Sequence, residues 1–161
     1  MPRTISLSLV LVLALASTAT AAKPRVKTPH RFTSVTQLTM KSSAGDYPNP
    51  KGTAVLSGPV KLDPFGEGTL VDNVTITGHP TATVWTFAGR EVAVVPGGTV
   101  KSKFTGWSLL RPDGTTAYAV DGAFTGGTGT YRGARGTYRY TGSTPAGSTI
   151  TSGRSAGTII Y

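Results

Sequence analysis

Glycine and proline recur through this chain so often that they limit the secondary structure it can form. The 161 residues include 21 glycines and 11 prolines, and pairs such as Gly58-Pro59, Pro96-Gly97 and Asp113-Gly114 are typical of turns. Long helices are excluded, because both residue types destabilise helix interiors. The segments between the turns alternate apolar and polar residues, which is typical of strands with two different faces. The chain is therefore predicted to be all-β.

Eight strands are predicted, or nine if the region 81–95 contains two. The predicted strands are 32–41, 53–62, 68–77, 81–87 with 91–95, 99–110, 117–124, a strand through Tyr131, Tyr138 and Tyr140, and 150–161. Short strands without helical crossovers favour an antiparallel barrel or a sandwich. Closure into a barrel removes exposed strand edges. We therefore expect a single antiparallel eight-stranded β-barrel over residues 32–161.

The first 22 residues have the features of a secretory signal peptide. Arg3 gives a positive start, residues 7–16 are apolar, and Ala19-Thr20-Ala21 fits a cleavage site. A retained membrane anchor is the alternative. Residues 23–31 are predicted to form a basic mobile arm, because they combine cations with two prolines and cannot bury much surface. The mature protein is expected to be secreted and extracellular.

The charge and the absence of cysteine bear on partners and chemistry. No cysteine is present, which excludes thiol nucleophiles and cysteine zinc sites. The net charge of +9 favours polyanionic partners, or serves solubility alone. One hypothesis is thus a non-catalytic exported protein attached to an anionic cell surface or wall polymer. Nucleic acid is not expected, because an exported protein seldom meets it.

The stretch between Tyr118 and Tyr140 has the most specific pattern. Two strands are predicted there, joined by the turn Gly126-Gly127-Thr128-Gly129. The run GGTGTYRGARGTY, residues 126–138, resembles a hairpin of the allene oxide cyclase-like and dirigent-like β-barrel superfamily. Residues 66–70 resemble an earlier glycine-marked strand of dirigent proteins. The matching positions in the hairpin are Gly126, Gly127, Gly129, Tyr131, Gly133, Ala134 and Gly136.

This resemblance implies a function as well as a fold. Barrels of this superfamily hold an apolar ligand in the lumen and steer its cyclisation, isomerisation or coupling, and they are often oligomeric. The main hypothesis is therefore a secreted barrel that binds a small apolar or aromatic molecule, with or without catalysis, and assembles as a homo-oligomer; attachment to an anionic surface is the alternative. An open cavity reached by a carboxylate favours this hypothesis, whereas a lumen filled by side chains favours the anionic-surface hypothesis.

Two carboxylates lie inside predicted strands, where aspartate is disfavoured. Asp72 shares the apolar face of Leu70 and Val74, and Asp121 is the other candidate. A carboxylate facing the lumen would have a raised pKa, which suits a general acid or base. The alternative is that each points to solvent or pairs with an arginine, such as Arg132 or Arg139.

Large aromatic residues on the predicted strands are candidates for the ligand-binding wall, with filling of the core as the alternative. These candidates are Trp85, Phe87, Trp107 and Tyr118. No metal site is expected, because His30 and His79 fit no metal-ligand spacing. No cofactor is expected either, because the glycines after residue 126 precede a strand and not a helix.

Overall fold

Eight antiparallel strands form a closed barrel in this computed structural model, which describes residues 27–161. The strands follow chain order around the barrel, and the last strand pairs with the first. The predicted signal peptide and residues 23–26 of the predicted arm lie outside the described residues. The strands are β1 (Pro29–Ala44), β2 (Thr53–Asp63), β3 (Gly66–Thr81), β4 (Val84–Val95), β5 (Gly98–Leu110), β6 (Thr116–Gly127), β7 (Arg135–Thr144) and β8 (Ile150–Ile160).

The predicted all-β fold and the count of eight strands are confirmed, with three local differences. Strand β1 begins at Pro29, so residues 29–31 pair with β8 and belong to the barrel and not to the arm. Residues 84–87 and 91–95 lie in one strand, β4, because Gly89 continues the ladder opposite Phe104, whereas Thr81, predicted to begin this strand, is the last residue of β3. Tyr131 lies in a single 3₁₀ turn, Gly129–Tyr131, before β7 begins.

Alternation along each strand sends one set of side chains into the barrel and the other to the outside. In β1, for example, Phe32, Ser34 and Thr36 are buried while the residues between them are exposed. The 3₁₀ turn is the only helix in the described part of the chain. No helix among residues 27–161 is long and apolar enough to cross a membrane.

The two ends of the barrel differ in how they are filled. At one end, Phe65, Tyr131 and Tyr161 pack edge to face with ring centroids 5.1–6.0 Å apart. This closed end continues into a large apolar cluster that includes Phe32 and Phe124. At the other end, a smaller cluster contains Ile76, Phe87 and Phe104.

Inward glycines make room for several of the aromatic rings that line the barrel. A Cβ added at Gly89 would overlap the ring of Phe104, one added at Gly106 the ring of Phe87, and one added at Gly122 the ring of Tyr138. Each of these pairs is in direct cross-strand register. A ring that lies over a glycine of the next strand covers backbone that has no side chain to shield it. Such a ring lies along the barrel wall and does not cross the lumen.

Candidate functional site

A cavity of about 350 Å³ lies inside the barrel. Side chains from all eight strands line it, and Tyr47, Pro48 and Ser148 extend its wall into two loops at the end opposite the closed end. Of the 32 residues that line it, 21 are apolar or aromatic, and the other 11 are nine serines or threonines and two acids. That combination is typical of sites that bind small molecules.

Two carboxyl side chains face each other across neighbouring strands in this cavity. Asp72 of β3 and Glu91 of β4 are direct register partners and both line the cavity. Direct cross-strand partners have Cβ atoms about 4.5–5.5 Å apart. The barrel therefore holds two acids side by side in a mainly apolar interior.

Hydrogen bonding distinguishes these two acids. Ser102 donates to Glu91 Oε1 at 3.1 Å, and Tyr138 donates to Glu91 Oε2 at 3.4 Å. The hydroxyl oxygens of Ser102 and Tyr138 also lie 2.9 Å apart, so either hydroxyl can donate to the other in place of Glu91. Asp72 Oδ1, in contrast, is buried without a hydrogen-bond partner among residues 27–161. Glu91 is thus the better stabilised carboxylate of the pair.

Burial raises the pKa of Asp72 to about 8, and the adjacent charge of Glu91 adds to the shift. Burial also raises the pKa of Glu91, to about 7, although the hydrogen bonds from Ser102 and Tyr138 oppose the shift. The pair consequently retains about one proton near neutral pH, held mainly on Asp72. An acid and a base of matched pKa are then present in one site, as general acid–base chemistry requires.

Three further polar atoms in the cavity wall lack partners among the described residues. They are the hydroxyl of Tyr140, Oγ1 of Thr36 and Nε1 of Trp85. The Tyr140 hydroxyl lies over Gly142 and Gly153, where an added Cβ would overlap it. Burial raises the pKa of Tyr140 to about 12, so its hydroxyl remains a donor at neutral pH.

The structure brings four of the six predicted site residues into the cavity. Asp72, Trp85, Phe87 and Tyr118 all line it. The orientation of Asp72 follows from its strand position, because Leu70, Asp72 and Val74 share one face of β3.

Asp121 and Trp107 do not reach the cavity, and their assignment to the lumen was wrong. Asp121 is exposed on the outer face, where its Oδ1 accepts from Arg139 Nε at 2.9 Å. Trp107 is also on the outer face and is 47% exposed. The alternation of side chains along a strand explains both positions. Trp107 is followed by the buried Ser108 and Asp121 by the buried Gly122, so Trp107 and Asp121 point outward. The arginine pairing considered for Asp121 is the arrangement that occurs.

Sequence reasoning missed Glu91, Tyr138 and Tyr140. Glu91 lies on the same strand face as Ala93 and Val95, which are buried. The alternation of inward and outward residues along β4 was therefore the signal that could have placed Glu91 in the lumen. Its pairing with Asp72 depends on the register between β3 and β4, which the sequence does not determine. Within residues 27–161, no group of three His, Cys, Asp or Glu side chains could hold a metal ion.

Comparisons with family models, with curated proteins and with solved structures find no match to this chain. The resemblance of residues 126–138 to a superfamily hairpin therefore stays a prediction. The function has to be argued from the cavity and its carboxyl pair.

Proposed function

We propose that this protein binds a small, mainly apolar molecule inside the barrel and guides its isomerisation or cyclisation by proton transfer. The observation that supports the proposal is the 350 Å³ cavity with Asp72 and Glu91 in its wall. An open lumen reached by a carboxyl group was the feature that favoured this hypothesis over attachment to an anionic surface.

The wall of the cavity supplies affinity through burial of apolar surface. Phe87, Phe104 and Tyr118 pack edge to face around one part of it, with ring centroids 6.3–6.4 Å apart. Each Å² of apolar ligand surface removed from water contributes about 25 cal/mol. The volume lies within the range of about 300–1,000 Å³ typical of pockets for small molecules.

The carboxyl pair supplies the chemistry. Glu91, with a pKa of about 7, accepts a proton from the bound molecule, and Asp72 holds a proton that it can donate. A proton removed at one position and returned at another isomerises the ligand without net loss of atoms. The apolar surroundings keep water from competing with these transfers.

Binding inside the barrel is tested with N-phenyl-1-naphthylamine, an uncharged dye whose emission rises in apolar surroundings. Val74→Phe places a larger side chain in the cavity wall, whereas Val94→Phe makes the same change on the outer face, where Val94 is 55% exposed. We expect the unmodified protein and Val94→Phe to bind the dye alike, and Val74→Phe to bind it at least about tenfold more weakly. Melting curves verify that both variants are folded. Unchanged binding by a folded Val74→Phe variant would show that the dye does not enter the barrel.

A further inference from the structure

Three unpartnered polar groups converge in one part of the cavity. Asp72 Oδ1, the Tyr140 hydroxyl and Thr36 Oγ1 are all buried without hydrogen-bond partners among residues 27–161. Thr36 is 5% exposed and pairs in register with Gly153, over which the Tyr140 hydroxyl lies. The Thr36 hydroxyl lies close enough to Tyr140 to lower its pKa, although the two do not form a well-aligned hydrogen bond, and the charge of Asp72 raises the pKa of Tyr140. The three groups therefore face the same part of the cavity.

Buried polar groups in proteins are nearly always hydrogen-bonded, so three such groups without a protein partner in one wall point to partners that come from inside the cavity. A ligand that supplies those partners is favoured over one that cannot. The same groups therefore select the chemistry of what binds there.

We propose that the bound molecule is uncharged and carries a carbonyl oxygen, which accepts hydrogen bonds from Asp72 and Tyr140, with the Thr36 hydroxyl beside Tyr140. This inference rests on the proposed function, namely binding inside the barrel. At neutral pH a protonated Asp72, the Tyr140 hydroxyl and the Thr36 hydroxyl all present donors. A carbonyl oxygen has two lone pairs and no proton of its own, so it complements a site with an excess of donors.

The charge of the wall excludes an anionic ligand. None of the described side chains that line the cavity is Lys, Arg or His. A ligand carboxylate would therefore be buried beside two acids without a counter-ion, which is strongly unfavourable. A ligand ammonium could pair with the two acids, and the hydroxyl oxygens of Tyr140 and Thr36 could accept from it, but it would have to leave water for a mainly apolar cavity. The ligand series below tests this alternative directly.

The same arrangement fits the proposed proton transfer. Glu91 takes a proton from the carbon next to the carbonyl, so that a C–H bond breaks and an O–H bond forms on Glu91. The electron pair moves onto the carbonyl oxygen, where the donors on Asp72 and Tyr140 stabilise the developing charge. Where the ligand has a carbon–carbon double bond next to the carbon that loses the proton, the electron pair is shared with the far end of that double bond. Return of the proton from Glu91 to that end shifts the double bond and completes an isomerisation with no net change in atoms or electrons.

Four ligands with one ring skeleton test the inference: tetralin, 2-tetralone, 2-aminotetralin and tetralin-2-carboxylate. We expect calorimetry to show that 2-tetralone binds roughly 3- to 30-fold more tightly than tetralin, as two or more net hydrogen bonds allow. The carboxylate should bind more weakly than tetralin, and the amine more weakly than 2-tetralone. The infrared carbonyl band of bound 2-tetralone should shift to lower frequency.

Single substitutions then connect the effect to the named donors. Tyr140→Phe and Thr36→Val should each lower the affinity for 2-tetralone about 2- to 10-fold, leave tetralin binding unchanged, and reduce the infrared shift. Tyr161→Phe is the matched control, because Tyr161 lies at the closed end and does not line the cavity. It should change none of these readouts.

The possible failures are distinguishable. If none of the four ligands binds, the proposed binding inside the barrel is overturned together with the inference. If tetralin and 2-tetralone bind equally and the carbonyl band does not move, only the carbonyl inference fails. Tightest binding of the amine would also overturn it, in favour of cation recognition by the carboxyl pair. A Tyr140→Phe effect of equal size on tetralin and 2-tetralone would show a role in shape alone.

Discussion

The hydroxyl of Tyr140 has no hydrogen-bond partner among residues 27–161, so its removal breaks no hydrogen bond between protein groups. Tyr140→Phe should therefore change the free energy of unfolding by less than about 0.5 kcal/mol, measured by urea unfolding. Tyr138→Phe provides a control on the same strand, because the Tyr138 hydroxyl is within hydrogen-bonding distance of Ser102 and Glu91. That variant should be destabilised, and an equal loss of stability in both variants would contradict the interpretation of Tyr140.

The residues of the site were partly predictable, for reasons that differ from one side chain to the next. Asp72 could be predicted because it shares a strand face with Leu70 and Val74, and that face proved to be the inner one. The same alternation along the strand places Asp121 and Trp107 on the outer face, so an acidic or aromatic residue type alone does not identify a residue of the lumen. Glu91 could be matched with Asp72 only from the register between two strands.

At the scale of elements, the turn between β6 and β7 is the most constrained connection. Gly129 has a φ of +57°, and a Cβ there would also overlap the backbone oxygen of Gly97 in the neighbouring turn. Thr130 N donates to the same Gly97 oxygen at 2.9 Å. The glycine-rich hairpin thus packs against the β4–β5 turn at the closed end, and it needs a residue without a side chain to do so.

Gly129→Ala should destabilise the protein by clearly more than Gly147→Ala. Gly147 has a similar φ of +70° but open space where a Cβ would stand, so its substitution costs only the strain of the left-handed backbone, about 1 kcal/mol. Gly129→Ala adds the overlap with Gly97, and melting temperatures of the two variants measure the difference. Equal melting temperatures would mean that the contact with Gly97 does not constrain the turn.

The strands themselves were predictable because alternation and turn residues are local signals. Strand β2 was predicted within one residue of its observed bounds. The exceptions depend on distant contacts. Gly89 continues β4 because Phe104 covers it, and Tyr131 leaves the strand pattern because its hydroxyl donates to the Pro96 carbonyl oxygen at 3.0 Å.

For the molecule as a whole, closure of the barrel keeps two acids away from water, and folding and protonation are therefore linked. Between about pH 4 and pH 8 the folded protein retains protons on Asp72 and Glu91 that the unfolded chain has released. Their protonated forms are favoured by folding, so their contribution to stability is complete below about pH 4. It declines as the pH rises through the folded pKa values of about 7 and about 8.

Urea unfolding between pH 5 and pH 9 tests this linkage on the protein and on the double variant Asp72→Asn, Glu91→Gln. Subtracting the free energy of unfolding of the variant from that of the unmodified protein isolates the contribution of the two acids, since all other titrating groups are common to both. We expect this difference to become less favourable to the unmodified protein by a few kcal/mol as the pH rises to about 8, and to level off above it. A difference that stays constant over this range, or that grows in favour of the unmodified protein, would contradict a buried carboxyl pair that holds a proton at neutral pH.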